Sequence, residues 1–309
     1  MGCCASVEGT PRPATTKGDA ADVLATQPIA KADSQSGSAA DMILPSSLFV
    51  SEPDPRMFGN AANEGKPEWT NKNWLKSRFH FSFAEYSDPR RSNFGVLRVM
   101  NDDLVQPNRG FGTHGHSNAE IVTYIVNGSL THQDSMGTKE TLGRGAIQFM
   151  TAGSGVQHSE HNLDKATALR FIQIWLNPWE RGLRPNYGSR VARDGEREGK
   201  WAHLAGAKGA QGTPKTAVPI NTDANIYVAE IPCGGTLDLA VGPARKAYVL
   251  CVEGSASLSG LATGKVERHG AVKLFGSGTC TFSDPKPIAT KEIREEGAAC
   301  HLLVVETAK

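Results

Sequence analysis

No run of apolar residues in this chain approaches the roughly 20 that a helix needs to span a bilayer. An apolar segment near the start is also missing, so we expect no secretory signal peptide. The formal net charge is only +1, which argues against a broad basic surface for direct binding of nucleic acid. The composition is that of an ordinary globular protein, and 309 residues suffice for two domains or one large one.

Paired cysteines are missing as well. None of the six cysteines belongs to a CxxC motif, so a zinc site built from thiolates is not indicated. Four of them are widely spaced in strand-like or loop segments, namely Cys233, Cys251, Cys280 and Cys300. We interpret these four as small buried residues or as free thiols of a reducing compartment.

The other two cysteines, Cys3 and Cys4, follow Gly2 in the stretch MGCCAS. Gly2 occupies the acceptor position for N-myristoylation, and Ser6 occupies the favoured hydroxyl position. Cys3 and Cys4 are then candidates for palmitoylation, and a second acyl chain makes membrane anchoring stable. We predict an acylated terminus that holds the protein at the cytoplasmic face of a membrane. The alternative is a chance match in a flexible tail.

Residues 1–45 are rich in Ala, Thr, Ser, Gly and Asp without hydrophobic periodicity, which predicts a disordered tail. Order is expected to begin near MILPSSLFV (42–50). Short segments of alternating or β-branched residues follow, separated by turn residues, and helical periodicity is scarce. This pattern is typical of an all-β barrel or sandwich. Two turns are predicted within it: a hairpin at the Asn-Gly after EIVTYIV, and an Asn-Asp turn in VMNDDLV.

A weak internal repeat divides the ordered part. EIVTYIVNGSL superposes on KAYVLCVEGSASL with Gly128 on Gly254, and GRGAIQFMTAGSG superposes on ERHGAVKLFGSGTC with Gly145 on Gly270. Such a long period indicates two copies of one domain. We therefore predict a domain at 48–177, a polar linker at 178–215 with a short helix at its end, and a second domain at 216–309.

Four polar residues of the first copy share a spacing that suits a metal site. Residues two apart on a strand point to the same face, so His114 and His116 are predicted to aim together, as are His158 and Glu160. If the two strands meet inside a barrel, three imidazoles and a carboxylate converge. This set suits a divalent ion such as Fe, Mn, Ni, Cu or Zn. Glu120 is a fourth ligand, a pocket acid, or a group that orients an imidazole.

A lone His-x-His is weak evidence, and the other histidines are less informative. His132 is either a barrel histidine with satisfied hydrogen bonds or part of the pocket, and His80 is expected to face solvent. Three histidines have no clustering partners in the sequence: His203, His269 and His301. The second copy has lost the polar cluster, since the positions that match those of His114, His116 and Glu120 hold Ala240, Gly242 and Lys246.

The stretch THGHSNAE (113–120), followed by GRGAIQFMTAGSGVQHSEHN (143–162), resembles the two cupin motifs. With WLKSRFHFSFAEY, FGVLRVMNDD and LTHQDSMG, the chain is most similar to the pirin family of bicupins, strongly over residues 48–180 and more loosely beyond. The resemblance implies two tandem cupin (jelly-roll) β-barrels. It also implies a metal held in the first barrel by His114, His116, His158 and Glu160, and none in the second. Pirins commonly have proline between the first two histidines, where this chain has Gly115.

The resemblance implies an enzymatic role, because some pirins act as quercetin 2,3-dioxygenases. The ion, Fe(II) in the first instance, would bind the deprotonated 3-hydroxyl and the carbonyl of a flavonol. O2 would then add across the ring, which opens with loss of carbon monoxide. Glu160 or Glu120 would accept the hydroxyl proton.

Two non-enzymatic roles are the alternatives. Other pirins are iron-dependent nuclear cofactors that bind transcription factors and respond to the oxidation state of iron, which would give this chain a protein partner. The third role is that of a membrane-tethered binding protein on an inherited cupin body. In each case we expect a monomer. We expect it in the cytoplasm at a membrane, or in the nucleus if it acts as a transcriptional cofactor.

Overall fold

The structure is a computed structural model that describes residues 39–53, 74–215, 217–287 and 298–309. The described residues form two β-barrels, which confirms the predicted all-β class. Their helical content is limited to two single-turn 3-10 helices, at Pro45–Ser47 and Pro89–Arg91. None of the helices in these ranges has the length and apolar character needed to cross a membrane. Most of the predicted tail, including Gly2, Cys3 and Cys4, lies outside the described residues.

The N-terminal barrel consists of eleven described strands. They are β2 (Phe49–Ser51), β3 (Leu75–Phe79), β4 (Leu97–Val105), β5 (Arg109–His116), β6 (Glu120–Asn127), β7 (Ser129–Asp134), β8 (Lys139–Gly143), β9 (Ile147–Thr151), β10 (Val156–Asn162), β11 (Leu169–Leu176) and β12 (Asn186–Arg190). Seven form one sheet in the order β12-β9-β6-β11-β4-β3-β2, and four form the other in the order β5-β10-β7-β8. The two sheets enclose the barrel interior.

The C-terminal barrel begins with a strand from far upstream in the chain. Its strands are β1 (Ala40–Ile43), β13 (Ala202–Ala207), β14 (Val218–Ile220), β15 (Ala224–Pro232), β16 (Leu237–Val241), β17 (Arg245–Gly260), β18 (Gly264–Glu267), β19 (Ala271–Leu274), β20 (Gly278–Lys286) and β21 (Ala298–Ala308). The longest of them, β17, runs through both layers: its first half pairs with β19 and β21, and its second half with β18 and β20.

A single buried cluster crosses the boundary between the barrels. It joins Phe94 and Tyr124 of the N-terminal barrel to Tyr248 and Leu303 of the C-terminal barrel. The seven-stranded sheet is therefore covered on both faces, by the barrel interior on one side and by the second barrel on the other. This explains why all eight residues of β11 are buried. Burial of apolar area on both faces is the main stabilising contribution to such a sheet.

Buried ionic contacts accompany the apolar boundary. Arg170 donates two 2.8 Å hydrogen bonds to the Asp102 carboxylate and a third, of 2.7 Å, to the carbonyl of Val252. His269 Nδ1 lies 2.6 Å from the same carboxylate. Burial alone would raise the pKa of Asp102, but Arg170 and His269 lower it well below its usual range. The buried Arg170–Asp102 ion pair of the N-terminal barrel thus contacts Val252 and His269 of the C-terminal barrel.

Both predicted turns are wrong. The strands on either side of Gly128 do not pair with each other: β6 pairs with β9 and β11, and β7 pairs with β8 and β10. The chain crosses from one sheet to the other at Gly128, whose φ of 74° and proximity to the carbonyl of Ala168 require glycine. Asn101 and Asp102 lie inside β4, because β3 and β11 supply backbone partners on both sides.

The boundaries of order also differ from prediction. Residues 40–43, expected to belong to the tail, form β1 and pair with β19 of the C-terminal barrel. The segment 178–215, predicted to be a linker, contains β12, which extends the N-terminal sheet, and β13, which joins the C-terminal sheet. The described residues at the end of this segment form no helix. Edge pairing with an existing sheet organises a sequence that is polar and rich in turn residues.

Candidate metal centre

Three imidazoles meet inside the N-terminal barrel. His158 of β10 lies opposite His114 of β5, and alternation along β5 brings His116 to the same side. The ring centroids are 4.7 Å apart for His114 and His116, 4.5 Å for His114 and His158, and 4.8 Å for His116 and His158. One ligand nitrogen of each histidine lies within 4.8 Å of the others. The pleat of two paired strands therefore brings together the histidines singled out in the sequence.

The protonation states of these imidazoles suit a cation. Burial and the neighbouring His114 lower the pKa of His116 to about 3. Burial and the surrounding histidines lower the pKa of His158 below its ordinary value as well. These rings are neutral at pH 7 and offer lone pairs, which metal binding requires. His158 Nε2 and His114 Nε2 lie only 3.1 Å apart, so these two ligand atoms face one region. The residues thus fit a divalent ion with imidazole ligands.

Glu160 borders this cluster but is held by other groups. Its carboxylate accepts hydrogen bonds from Thr123 Oγ1 at 3.2 Å, Gln148 Nε2 at 3.0 Å and Gln173 Nε2 at 2.8 Å. A carboxylate oxygen lies within 4.8 Å of ligand nitrogens of His158 and His132, and not of the whole three-histidine set. Burial raises the pKa of Glu160 to about 7. The structure therefore places Glu160 beside His158 as a buried acid.

Glu120 does not approach the histidines. Thr151 Oγ1 and the backbone N–H of Asn221 each donate a 3.1 Å hydrogen bond to its carboxylate. Alternation along β6 explains this position, because Glu120 shares its face with Tyr124, which packs against the C-terminal barrel. The predicted role of Glu120 as a pocket acid or ligand conflicts with this geometry. Glu120 joins the two barrels instead.

His132 is a further candidate for the site. From the sequence, it could be either a barrel histidine with satisfied hydrogen bonds or part of the pocket. Its Nε2 lies 3.1 Å from Asp134 Oδ2, and its ring stacks on Tyr187 at 4.6 Å. Its centroid is 5.3 Å from that of His158. The Nδ1 atoms of His132 and His158 are both buried without a hydrogen-bond partner among the described residues. If the Nε2–H group donates this hydrogen bond to Asp134, the lone pair of His132 is on Nδ1, and the ring lies beside His158.

Three other histidines have buried partners that the sequence did not reveal. His80 is buried, and its Nδ1 lies 2.9 Å from the Tyr248 hydroxyl, so the expected solvent exposure is wrong. His269 contacts Asp102, as described above. His301 Nε2 lies 3.0 Å from the hydroxyl of Tyr124. All three lie at the boundary between the barrels, which no local pattern in the sequence identifies.

A cavity of about 610 Å³ opens beside the cluster. Its lining includes His114, His116 and Glu160. Five aromatic residues form its walls: Trp74, Phe79, Phe83, Phe111 and Trp175. The Trp175 ring packs edge-on against His116, with centroids 4.9 Å apart. The volume lies within the usual range for small-molecule sites, and the aromatic walls suit a planar ring system.

The barrel interior has three layers. On β6 and β11, inward-facing hydrophobic residues flank one central polar residue, and on β4 Val99 and Val105 flank two, Asn101 and Asp103. The polar positions of neighbouring strands lie in register: Asn101 opposite Gln173, Gln173 opposite Thr123, and Thr123 opposite Gln148. This polar row ends at Glu160. Hydrophobic residues flank these polar positions at a spacing of two, and this arrangement recurs on adjacent strands. The recurring pattern could have revealed the polar row from the sequence.

The interior of the C-terminal barrel is apolar. A buried cluster fills it, including Val249, Leu258, Phe282 and Leu302. Among the described residues, neither of the two groups with metal-ligand spacing includes a residue of this barrel.

Both halves of the chain are similar to known proteins. Residues 62–176 match the family model described as Pirin, and residues 208–286 match the one described as Quercetinase C-terminal cupin domain. A pirin-like protein of Caulobacter vibrioides is 42% identical over 188 residues, which are 61% of this chain and 79% of the relative. A quercetin 2,3-dioxygenase of Escherichia coli is 48% identical over 120 residues, 39% of this chain and 52% of the relative.

A solved structure agrees with the fold. The bacterial pirin YhhW from Escherichia coli, in complex with nickel(II), superposes with a TM-score of 0.67 at 25% identity and covers 87% of this chain and 99% of that chain. That pirin is a metal complex, and the present chain has a three-histidine cluster in its first barrel. Since the two family matches follow each other in order, and the Caulobacter protein is matched over most of its length, this chain belongs to the pirin family.

Proposed function

We propose that this protein is an Fe(II)-dependent dioxygenase that opens flavonols such as quercetin. The observation that carries the proposal is the cavity of about 610 Å³, which has aromatic walls, the imidazoles of His114 and His116 at one side and the buried Glu160 carboxyl in its lining. Relatives named quercetin 2,3-dioxygenase support the choice of substrate class.

His114, His116 and His158 would hold the ion. The chemistry that bound Fe(II) supplies is Lewis acidity and electron exchange with O2. These three ligands would leave the ion able to bind substrate oxygens as well. The chain itself fixes the imidazoles through strand pairing and keeps His116 and His158 neutral through burial.

The cavity would bind the planar flavonol between aromatic side chains, and the Trp175 ring would keep water from His116. Glu160 would accept the proton of the 3-hydroxyl at its carboxylate. A pKa of about 7 for Glu160 suits this role, since a general base works best when its pKa is close to the operating pH. Thr123, Gln148 and Gln173 hold the carboxylate in place during the transfer.

The test is metal analysis of protein purified without oxygen, followed by O2 uptake and carbon monoxide release with quercetin. His158→Ala is expected to lose both the metal and turnover. His161→Ala is a matched control, because this neighbouring histidine belongs to neither metal-ligand group. Full turnover by a metal-free His158→Ala protein would refute the proposal. Bound iron without O2 uptake would favour the iron-dependent cofactor with a protein partner.

We also propose that acylation at Gly2, Cys3 and Cys4 places this activity at the cytoplasmic face of a membrane. The support is the MGCCAS pattern itself, in which one acceptor glycine and two adjacent cysteines coincide. Two acyl chains would be needed for stable anchoring.

A further inference from the structure

We propose that Asn101 and Asp103 form a second recognition subsite, which binds a phenolic hydroxyl of the substrate remote from the metal. The inference rests on the proposed function and names the substrate class more closely: flavonols with hydroxyl groups beyond the chelating 3-hydroxyl. It predicts that hydroxylation pattern, and not only chelation, determines which ligands bind.

The position of the two residues supports this subsite. Asn101 and Asp103 lie two apart on β4, so both face the barrel interior, and both line the cavity. They belong to the seven-stranded sheet, whereas the three histidines belong to the four-stranded sheet β5-β10-β7-β8. The pair therefore faces the metal cluster from the other sheet of the barrel. A planar ligand held at the histidines would extend over these two side chains.

Asn101 offers an acceptor that the protein leaves unused. The residue is 3% exposed, and its Oδ1 has no hydrogen-bond partner among the described residues. Its register neighbour Gln173 does not pair with it, since the Gln173 side chain is directed at Thr123 and Glu160. A buried polar atom without a protein partner costs stability unless water or a ligand pairs with it.

Asp103 offers a donor beside that acceptor. It is buried, receives a hydrogen bond from the Ser77 hydroxyl, and has no ion pair within the ranges that the structure covers. Burial, together with the nearby Asp102 and Glu160 carboxyls, raises the pKa of Asp103 to about 8. The carboxyl therefore carries a proton at neutral pH and can donate it in a hydrogen bond.

The two groups complement a phenol. A phenolic hydroxyl donates one hydrogen bond and accepts another. Asn101 Oδ1 supplies the acceptor for the first, and the hydroxyl of the protonated Asp103 carboxyl supplies the donor for the second. The adjacent inward positions on β4, Val99 and Val105, are apolar, so hydrogen-bonding capacity is confined to the centre of the strand. A site built to pair with a hydroxyl discriminates against ligands that lack it, because its buried polar groups are then left without partners.

The test compares quercetin with 3-hydroxyflavone, which keeps the chelating end and lacks the other hydroxyls. Dissociation constants are measured on the nickel-loaded full-length protein without oxygen, through quenching of tryptophan fluorescence. We expect wild type to bind quercetin about tenfold more tightly, the effect of one or two hydrogen bonds. Asn101→Leu and Asp103→Leu should each reduce this preference to about threefold or less, with binding of 3-hydroxyflavone unchanged.

Asp103→Asn is the informative companion variant. An amide has the shape of a protonated carboxyl and donates through its NH2 group, so this variant should keep the preference that Asp103→Leu loses. It also keeps the inference testable if Asp103→Leu fails to fold. Asn186→Leu, the same chemical change at an exposed position of β12, is the matched control.

The outcomes separate this inference from the proposed function. Equal affinity of wild type for the two compounds would overturn the subsite and leave the metal-dependent function standing. So would a preference that survives Asn101→Leu. Failure of the loaded protein to bind either compound would overturn the proposed function and the subsite together.

Discussion

Replacing Glu160 with Gln is expected to change how the stability of the metal-free protein depends on pH. Glu160 is 3% exposed and makes its three hydrogen bonds with neutral partners, Thr123, Gln148 and Gln173. Burial raises its pKa from 4.5 to about 7. A carboxyl whose pKa is higher in the folded state favours folding while it is protonated and disfavours it once ionised.

The magnitude follows from the two pKa values. The contribution of Glu160 is fully present below pH 4.5, the unfolded value, and is lost as the pH rises to about 7. At 1.36 kcal/mol for each pH unit, the loss amounts to about 3 kcal/mol. Groups that do not interact with Glu160 titrate alike in both proteins and cancel in the difference, whereas Asp103 cancels only in part, because the Glu160 carboxyl contributes to its raised pKa. The free energy of unfolding of wild type should therefore fall by about 3 kcal/mol relative to Glu160→Gln between pH 4.5 and pH 7.

The measurement is urea unfolding of both metal-free proteins at a series of pH values. Parallel stability curves would refute the reasoning, because they would mean that Glu160 has an ordinary pKa in the folded chain. The Glu160→Gln variant also tests whether Glu160 is the catalytic base. If Glu160 is the base and the three histidines hold the ion, Glu160→Gln keeps its metal, and turnover falls about 10²- to 10⁴-fold.

Loss of metal together with turnover would instead make Glu160 a ligand, as the family resemblance implies. Glu120→Gln is the control for this experiment. It changes a buried carboxyl in the same barrel, but one held by Thr151 and Asn221 outside the cavity. We expect this control to keep both metal and turnover.

Three further predictions concern other parts of the chain. Asp134→Asn turns an N–H toward His132 Nε2 and reverses the tautomer of this ring, which lies beside the proposed ligand His158. Because His132 is not itself a proposed ligand, a chelator competition should show metal affinity weaker by up to about 10-fold, the lower end of the effect for partners of ligating histidines, and unchanged affinity would exclude the contact. Arg170→Met leaves the buried Asp102 carboxylate without its bidentate partner, so the free energy of unfolding measured in urea should fall by about 3–5 kcal/mol. This loss should largely disappear in the double variant that also carries Asp102→Asn, and a loss below about 1 kcal/mol in Arg170→Met would contradict the argument. Gly2→Ala should move the protein from the membrane to the soluble fraction, and unchanged fractionation would rule out myristoylation as the anchor.

The three-dimensional contacts explain which local interpretations were wrong. The Asn-Asp of VMNDDLV has strong turn propensity, yet Asn101 and Asp102 continue β4, because two neighbouring strands pair with their backbone and Arg170 neutralises the carboxylate. The Asn-Gly before β7 is a bend, but it connects two sheets and not two paired strands. Turn propensity is local and small, and pairing across several strands outweighs it.

Much of the site was readable from strand periodicity. The spacing of two in His-x-His and in His-x-Glu determines which side chains share a face, whatever the rest of the chain does. The all-β class and the two-fold repeat followed in the same way from alternation and from matching glycines. These are properties of a few consecutive residues, and the sequence by itself determined them.

Only the tertiary structure decided what lies opposite each face. It placed Glu120 against the C-terminal barrel and Glu160 against Thr123, Gln148 and Gln173, although both acids lie near histidines in the sequence. It also turned Asn101 and Asp103 from an apparent turn into part of the cavity lining. The physical reason is that a period of two distinguishes the faces of a strand but carries no information about which sheet, and which charges, pack against each face.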